Sequence, residues 1–247
     1  MKNCSRQKPL VGLNAVVTGA SGGIGRAIAV ALSREGARVC AVARNATALA
    51  ETVAAAKKYS PAESFQADLS AQEQLQSCVL HLEAIGRVDI LVHCAAIIHL
   101  GLMERARVQD FDAQYCTNVR APYLLTQRLL PLLTAARGQI AFINSSVGLA
   151  AKRPDLGQYS ATKHALRALA DSLREEVNAK GVRVLSVYLG RTATPMQEAV
   201  SHAENKAYHP ETLLQPEEVA SVVVHALTLP PGAEVTDISI RPTYRSY

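Results

Sequence analysis

The order of the apolar segments constrains the fold of this chain more than any other feature. Short runs rich in β-branched residues alternate with longer runs in which apolar residues recur every three or four positions. The first pattern favours buried strands, and the second favours amphipathic helices. Strands are predicted at 15–18, 39–43, 65–68, 89–94, 139–144, 182–188 and 235–240, and helices at 22–35, 46–58, 71–85, 108–136, 157–180 and 217–229. This alternation predicts an α/β fold with a doubly wound, mostly parallel, seven-stranded sheet and helices on both faces.

Length and composition agree with a single domain. The 247 residues are 49% apolar and 19% charged, and Trp is absent. Such a chain has enough Ala, Val, Leu and Ile for a core of buried strands and is not expected to be disordered. No linker, repeat or low-complexity tract divides it, so residues 1–247 are predicted to form one domain. Residues 201–215 are polar and weakly periodic, which predicts a mobile segment at about 192–215, after the end of a strand, where ligands bind in such sheets.

Charge and cysteine content argue against several classes of function. The net charge is +5, but no run of five or more Lys or Arg occurs, so dispersed surface charge is favoured over nucleic-acid binding. The five cysteines show no metal-ligand spacing, which favours reduced thiols and no metal site; Cys4 is expected near a mobile terminus. Neither an 18-residue apolar run nor a leader pattern is apparent, so no membrane insertion is expected and the cytoplasm is the expected location.

A glycine-rich turn separates the first predicted strand from the first helix. It reads Thr18-Gly19-Ala20-Ser21-Gly22-Gly23-Ile24-Gly25. Glycines there permit a tight turn and let backbone N–H groups approach a diphosphate at the helix N-terminus; a purely structural turn is the alternative. The second strand ends in Ala43-Arg44-Asn45, without the acidic residue that would bind the ribose of NAD. Arg44 is therefore predicted to bind the 2′-phosphate of NADP, with a solvated loop arginine as the alternative.

Tyr159 and Lys163 are four residues apart in the fifth predicted helix, so they lie on one face of it, a turn apart. An ammonium beside a phenol favours the phenolate and is expected to lower the tyrosine pKa from about 10. Such a pair predicts a proton donor that works near neutral pH.

In this order, these motifs resemble the short-chain dehydrogenase/reductase family, in its compact single-domain, NADP-dependent branch, over about residues 13–242. The resemblance implies a Rossmann fold and NADP(H) as cofactor. It implies Ser146, Tyr159, Lys163 and Asn118 as catalytic residues, with Ser146 preferred to Ser145 because the family places its Ser about thirteen residues before the Tyr. The implied cofactor-binding residues are Gly19, Ser21, Gly22, Gly23, Ile24, Arg44, Asn45, Asp68, Leu69, Cys94, Ala95, Ala96, Tyr159, Lys163, Gly190, Thr192 and Thr194.

Two motifs depart from the family pattern. His93-Cys94-Ala95-Ala96 stands where the family has Asn-Asn-Ala-Gly, and Leu189-Gly190 stands where it has Pro-Gly. His93 is expected to be structural, replacing one hydrogen bond of a missing Asn. For Thr192 and Thr194, local turn and cap roles are the alternative to cofactor contacts.

The resemblance implies hydride transfer from NADPH to a ketone or aldehyde, with protonation of the oxygen by Tyr159. Ser146 would donate a hydrogen bond, Lys163 would hold the nicotinamide ribose, and Asn118 would position a water that relays protons to Lys163. Three alternatives stay open: an NADP-dependent alcohol or sugar-alcohol dehydrogenase, a non-catalytic NADP-binding sensor, and a nucleic-acid-binding protein. A homodimer or homotetramer, formed through the helices at 108–136 and 157–180, is also implied.

Overall fold

One seven-stranded parallel sheet forms the centre of the protein, as predicted. The computed structural model describes residues 8–151 and 153–243, so the prediction for Cys4 lies outside the described residues. The sheet order is β3-β2-β1-β4-β5-β6-β7, and every neighbouring pair is parallel. The strands are β1 (Asn14–Thr18), β2 (Arg38–Ala43), β3 (Ala62–Gln66), β4 (Ile90–His93), β5 (Gln139–Ser145), β6 (Arg183–Leu189) and β7 (Asp237–Ile240).

Helices cover both faces of the sheet and bury two apolar layers. They are α1 (Gly23–Arg34), α2 (Ala46–Lys57), α3 (Gln72–Ala84), α4 (Val108–Tyr115), α5 (Ala121–Ala136), α6 (Gly157–Val177), α7 (Pro195–Ala203) and α8 (Pro216–Leu227). Alternate side chains of each strand face opposite layers. Helices α1, α2 and α8 pack on one face, and α3, α5 and α6 pack on the other. The order reverses between β1 and β4, and this switch point is where ligands bind in such sheets.

Three predicted elements differ from the structure. Strand β3 ends at Gln66, so residues 67 and 68 belong to the loop that enters the switch-point region. The predicted helix at 108–136 is interrupted by a π-helical turn, Cys116–Arg120, whereas Pro131 lies inside α5 without ending it. Helix α7 occupies part of the segment expected to be irregular, because the Thr194 hydroxyl caps its first turn and Pro195 begins it.

None of the helices that the structure describes combines the length and apolar character needed to cross a membrane.

Candidate active site

A large cleft of about 900 Å³ opens at the carboxyl ends of the strands. All of the residues predicted to bind the cofactor line it, as do Ser145 and Ser146. They come from the loops after six different strands, which the parallel sheet brings to one edge. Asn118 is the exception among the predicted site residues, since it is buried behind the cleft wall.

The glycine turn lies against the backbone of the loop after β4. A side chain on Gly19 would meet the Ala95 backbone at 2.7 Å, and one on Gly25 would overlap the Gly19 carbonyl group. The N-cap of α1 is Gly22, which provides no side-chain cap, and the first turn contains no acidic residue. The first backbone N–H groups of α1 therefore have no side-chain cap and can donate hydrogen bonds to an anion, which is the feature that a diphosphate-binding helix requires.

Arg44 follows β2 at the cleft wall, and its side chain is exposed. Its charge acts on Asp68, the second residue after the end of β3. Burial alone would raise the pKa of Asp68, but hydrogen bonds from Ser70 and the charge of Arg44 hold the pKa below its ordinary value. Asn45 caps α2 by accepting a hydrogen bond from the Ala48 N–H at 3.0 Å. Arg44 therefore places one cation in the cleft wall after β2.

Tyr159 and Lys163 lie side by side on the first turns of α6, at the inner wall of the cleft. Both are buried, and the Lys163 Nζ lies 5.7 Å from the centre of the Tyr159 ring. The same Nζ donates a hydrogen bond to the Ile143 carbonyl oxygen at 3.1 Å. Tyr159 and Lys163 therefore lie on one face of α6, as their spacing in the sequence predicts.

The pKa of Tyr159 differs from the prediction. Burial raises it above its ordinary value, a hydrogen bond from Ser145 acts in the opposite direction, and Cys94 adds to the increase. Burial also lowers the pKa of Lys163 to about 8, so the lysine loses its charge before the phenol titrates. The predicted lowering of the tyrosine pKa is therefore wrong for this state, and Tyr159 is held as a protonated phenol.

Ser145 and Ser146 both line the cleft, and the preference for Ser146 stays a prediction. Ser145 is the last residue of β5, is half-buried and acts on the Tyr159 phenol, lowering its pKa against the effect of burial. Ser146 begins a short 3₁₀ turn, and its side chain is exposed at the rim of the cleft. Gly148 lets the turn after these serines pack closely on α6, since a side chain there would meet the Asn144 side chain at 2.7 Å and the Lys163 backbone at 2.9 Å.

Asn118 fastens the loop after β4 to α6. Its Oδ1 accepts a hydrogen bond from the Ile97 N–H, and its Nδ2 donates to the Ile97 carbonyl, both at 2.9 Å. Nδ2 also donates to the Thr162 hydroxyl at 3.1 Å. These hydrogen bonds hold the loop after β4 against α6, and the role of Asn118 in positioning a water stays a prediction.

His93 is structural, as expected. It is buried at the end of β4, its Nε2 lies 2.8 Å from the Thr126 hydroxyl, and its ring stacks on Phe142 at 4.9 Å. Burial lowers the pKa of His93 to about 3, so the ring is neutral. The next residue, Cys94, lines the cleft, and burial raises the pKa of its thiol to about 12. That thiol is therefore a protonated group beside Tyr159 and Lys163.

The hydroxyls of Thr192 and Thr194 make local contacts. The first donates to the Gly190 carbonyl at 3.2 Å, and the second caps α7 by accepting from the Gln197 N–H at 3.2 Å. The Thr194 methyl group packs against Gly23, where an added side chain would meet it at 2.9 Å. Thr194 thereby holds the start of α7 against the glycine turn, while both residues line the cleft.

An ion-pair cluster at the cleft mouth was missed by the sequence analysis. Glu204, at the end of α7, accepts hydrogen bonds from Arg153 and from Arg191, the latter at 3.1 Å, and Arg153 also pairs with Asp155. Burial would raise the pKa of Glu204, but these two guanidinium groups lower it. Nothing in the local sequence links residues 50 positions apart, so only the folded chain brings them together.

The chain belongs to a family of nucleotide-dependent oxidoreductases, judged by its fold and this cleft. The family model for short chain dehydrogenases matches residues 13–205, and the chain is therefore a member of the short-chain dehydrogenase/reductase family. It is 33% identical, over 92% of its length and 96% of the relative's, to an uncharacterized oxidoreductase of Staphylococcus epidermidis.

Two further comparisons extend the likeness. The chain is 34% identical, over 95% of its length, to a glycine betaine reductase of Emericella nidulans, but it spans only 19% of that protein. Among solved structures, a metagenomic short-chain oxidoreductase in complex with NADP has a TM-score of 0.80 and 32% identity; the match covers 96% of this chain and 100% of the other.

Proposed function

We propose that this protein is an NADP(H)-dependent reductase that converts a ketone or aldehyde into an alcohol. The observation that carries the proposal is the convergence of the Tyr159 phenol, the Ser145 hydroxyl and the Lys163 ammonium on the inner wall of one cleft. An acid, a second hydrogen-bond donor and a cation beside one another suit a reaction in which negative charge develops on an oxygen.

The outer part of the cleft fits NADP(H). The uncapped first turn of α1 would hold the diphosphate, and Arg44 would pair with the 2′-phosphate. Asp68 and Leu69, by family resemblance, would lie beside the adenine. When bound, the cofactor supplies the hydride. The related metagenomic oxidoreductase, solved with NADP, supports the same choice of cofactor.

Tyr159 would protonate the developing alkoxide. Its raised pKa keeps the phenol protonated at neutral pH, which a proton donor in a reduction requires. Ser145 would donate a hydrogen bond to the same oxygen, and charged Lys163 would stabilise the tyrosinate left after proton transfer. Alcohol oxidation follows the same path in reverse and would need the phenolate instead.

The substrate side of the cleft supports an uncharged carbonyl compound. Apolar residues line it, including Ile98, Leu149, Leu156, Met196 and Val200. Arg153 and Arg191 also line the cleft, but the carboxylates of the Glu204 cluster already pair with both. A substrate anion would have to compete with these ion pairs.

A consumption assay tests the proposal. NADPH oxidation is measured with the purified protein against ketones, aldehydes, ketoacyl thioesters and quinones. At least one carbonyl class is expected to give turnover with equimolar alcohol product. Tight NADPH binding without turnover across the whole panel would instead support a sensor.

We also infer a homodimer or homotetramer. Exposed apolar side chains on α4 and α5, namely Val108, Tyr115 and Tyr123, support an interface that includes these helices. Light scattering on the purified protein is expected to give two or four chains, and a monomer at micromolar concentration would overturn this inference.

A further inference from the structure

Three potential metal ligands meet at the outer edge of the sheet, away from the cleft. Cys40 lies on β2 and Glu63 lies opposite it on the edge strand β3, in register. His81, on α3, packs over the same face, and its ring stacks on Phe65 at 4.7 Å. None of these four described residues lines the cleft.

The donor atoms are already close together. The Cys40 Sγ, a Glu63 carboxylate oxygen and a ring nitrogen of His81 all lie within 4.8 Å of one another. The His81 Nε2 is 3.6 Å from the Glu63 Oε1. Two ligands at about 2.1 Å from a tetrahedral zinc ion are roughly 3.4 Å apart. Small side-chain movements would therefore bring the three donors to zinc distances.

The His81 Nε2 has an unmet hydrogen-bonding need. The atom is buried and has no hydrogen-bond partner among the described residues, although 35% of the side chain is exposed. Its distance to Glu63 is too long for a hydrogen bond. A buried nitrogen without a hydrogen-bond partner destabilises the folded state, unless a bound group lies between it, the Glu63 carboxylate and the Cys40 thiol. A cation would satisfy all three groups at once.

We propose that Cys40, Glu63 and His81 form a binding site for a thiophilic divalent cation, with Zn²⁺ as the ion. Thiolate, imidazole and carboxylate are the ligand types that zinc takes, whereas Mg²⁺ and Ca²⁺ prefer oxygen ligands alone. Glu63 is exposed and gives the ion a path from solvent. Zinc binding would displace the Cys40 proton, so that a thiolate–zinc bond forms as one proton is released.

Cys78 is the candidate fourth ligand. It lies three residues before His81, so both project from the same face of α3. Cys78 is buried in the same apolar layer as Cys40. If Cys78 also binds, two protons are released per zinc; if water takes the fourth position, one is released.

The proposed ion would join an exposed edge to the core. Strand β3 pairs only with β2 among the described strands, so its outer edge is open. A zinc ion held by β2, β3 and α3 would fasten that edge to both neighbours. The expected role is structural, and removal of the ion is expected to lower the Tm while NADPH turnover changes less than twofold.

Zinc titration of the full-length, tag-free protein tests the proposal. After treatment with a chelator and a phosphine reductant, one equivalent of Zn²⁺ per chain is expected to bind and to raise the Tm. Co²⁺ in its place should give a thiolate-to-cobalt charge-transfer band. Calorimetry in buffers of different ionisation enthalpy counts the protons released.

Single substitutions distinguish this site from adventitious binding. Glu63→Gln and His81→Gln, both at partly exposed positions, are expected to weaken zinc binding at least tenfold, and Cys40→Ser should abolish the cobalt band. Cys116→Ser and His225→Gln, matched controls elsewhere in the chain, should bind as the unmodified protein does. Absence of binding, or unchanged affinity in Glu63→Gln and His81→Gln, would overturn the proposal.

Discussion

Ser145→Ala and Ser146→Ala change neighbouring residues, yet they are expected to differ greatly in their effect on turnover. Ser145 hydrogen-bonds with the Tyr159 phenol from the inner wall of the cleft, whereas the Ser146 side chain is exposed at the rim. Removing one donor to a developing oxyanion costs about 10²–10³-fold in kcat, or roughly 2.7–4 kcal/mol. Because Ser145 is only half-buried, we expect the lower end, about 10²-fold.

The two variants are otherwise well matched. Ser145 contributes one long hydrogen bond to its turn, from the Val147 N–H at 3.4 Å, so the loss of stability should be small. Ser146→Ala is a surface substitution with an expected stability change within about 0.5 kcal/mol and a kcat within about threefold of the parent. NADPH turnover with a saturating carbonyl substrate gives kcat, and fluorescence titration gives NADPH affinity. A larger loss in Ser146→Ala than in Ser145→Ala would refute the placement of Ser145 at the reacting oxygen.

Three more predictions concern charge. Arg44→Asp is expected to lower kcat/KM for NADPH and to shift preference toward NADH, because a 2′-phosphate would then face a carboxylate; unchanged NADPH affinity would argue against the contact. Lys163 carries its charge only below its lowered pKa of about 8, so kcat/KM for NADPH should fall as pH rises through 8; a profile flat to pH 10 would contradict this. His93 stays neutral in the folded state down to about pH 3, whereas the unfolded chain takes up the proton near pH 6.5. The free energy of unfolding should therefore fall as pH drops below 6.5, by up to about 1.4 kcal/mol per pH unit from this group. Urea unfolding of His93→Gln at several pH values should give a smaller slope of that free energy against pH, by the equivalent of about one proton.

The fold could be predicted from the sequence because parallel strands buried on both faces leave a strong pattern. The strand–helix alternation predicted all seven strands, with errors at their ends, as for β3. The sequence did not predict α7, although Thr194-Pro195 is typical of the start of a helix. The polar residues that follow obscure the helical recurrence of its apolar residues. The π-helical turn around Asn118 has no comparable sequence signal.

Contacts between distant segments were harder to predict than motifs. Tyr159 and Lys163 lie on the same helix, so their spacing in the sequence was enough to predict that their side chains share one face. Sequence could not separate the two adjacent serines by their surroundings, and the structure shows that Ser145 acts on the Tyr159 phenol while both residues line the cleft. The pKa of Tyr159 was predicted in the wrong direction because burial, which sequence does not reveal, outweighs the neighbouring lysine.

The ligands of the proposed zinc site also could not be predicted from the sequence, because they come from distant segments of the chain. They lie on two strands and a helix, joined by the parallel register and the packing of α3. No local spacing links Cys40 with Glu63 and His81, so the cysteine pattern gave no indication of a metal site.

The most direct measurement of the central claim is turnover and NADPH binding in Tyr159→Phe, with Tyr59→Phe as the matched control. The proposed role of Tyr159 as the acid predicts NADPH affinity within about threefold of the parent and a kcat lower by at least 10²-fold, since general acid catalysis contributes about 10²–10⁴-fold. Tyr59 is exposed after α2 and away from the cleft, and its variant should behave as the parent does. Turnover retained in Tyr159→Phe would contradict the account.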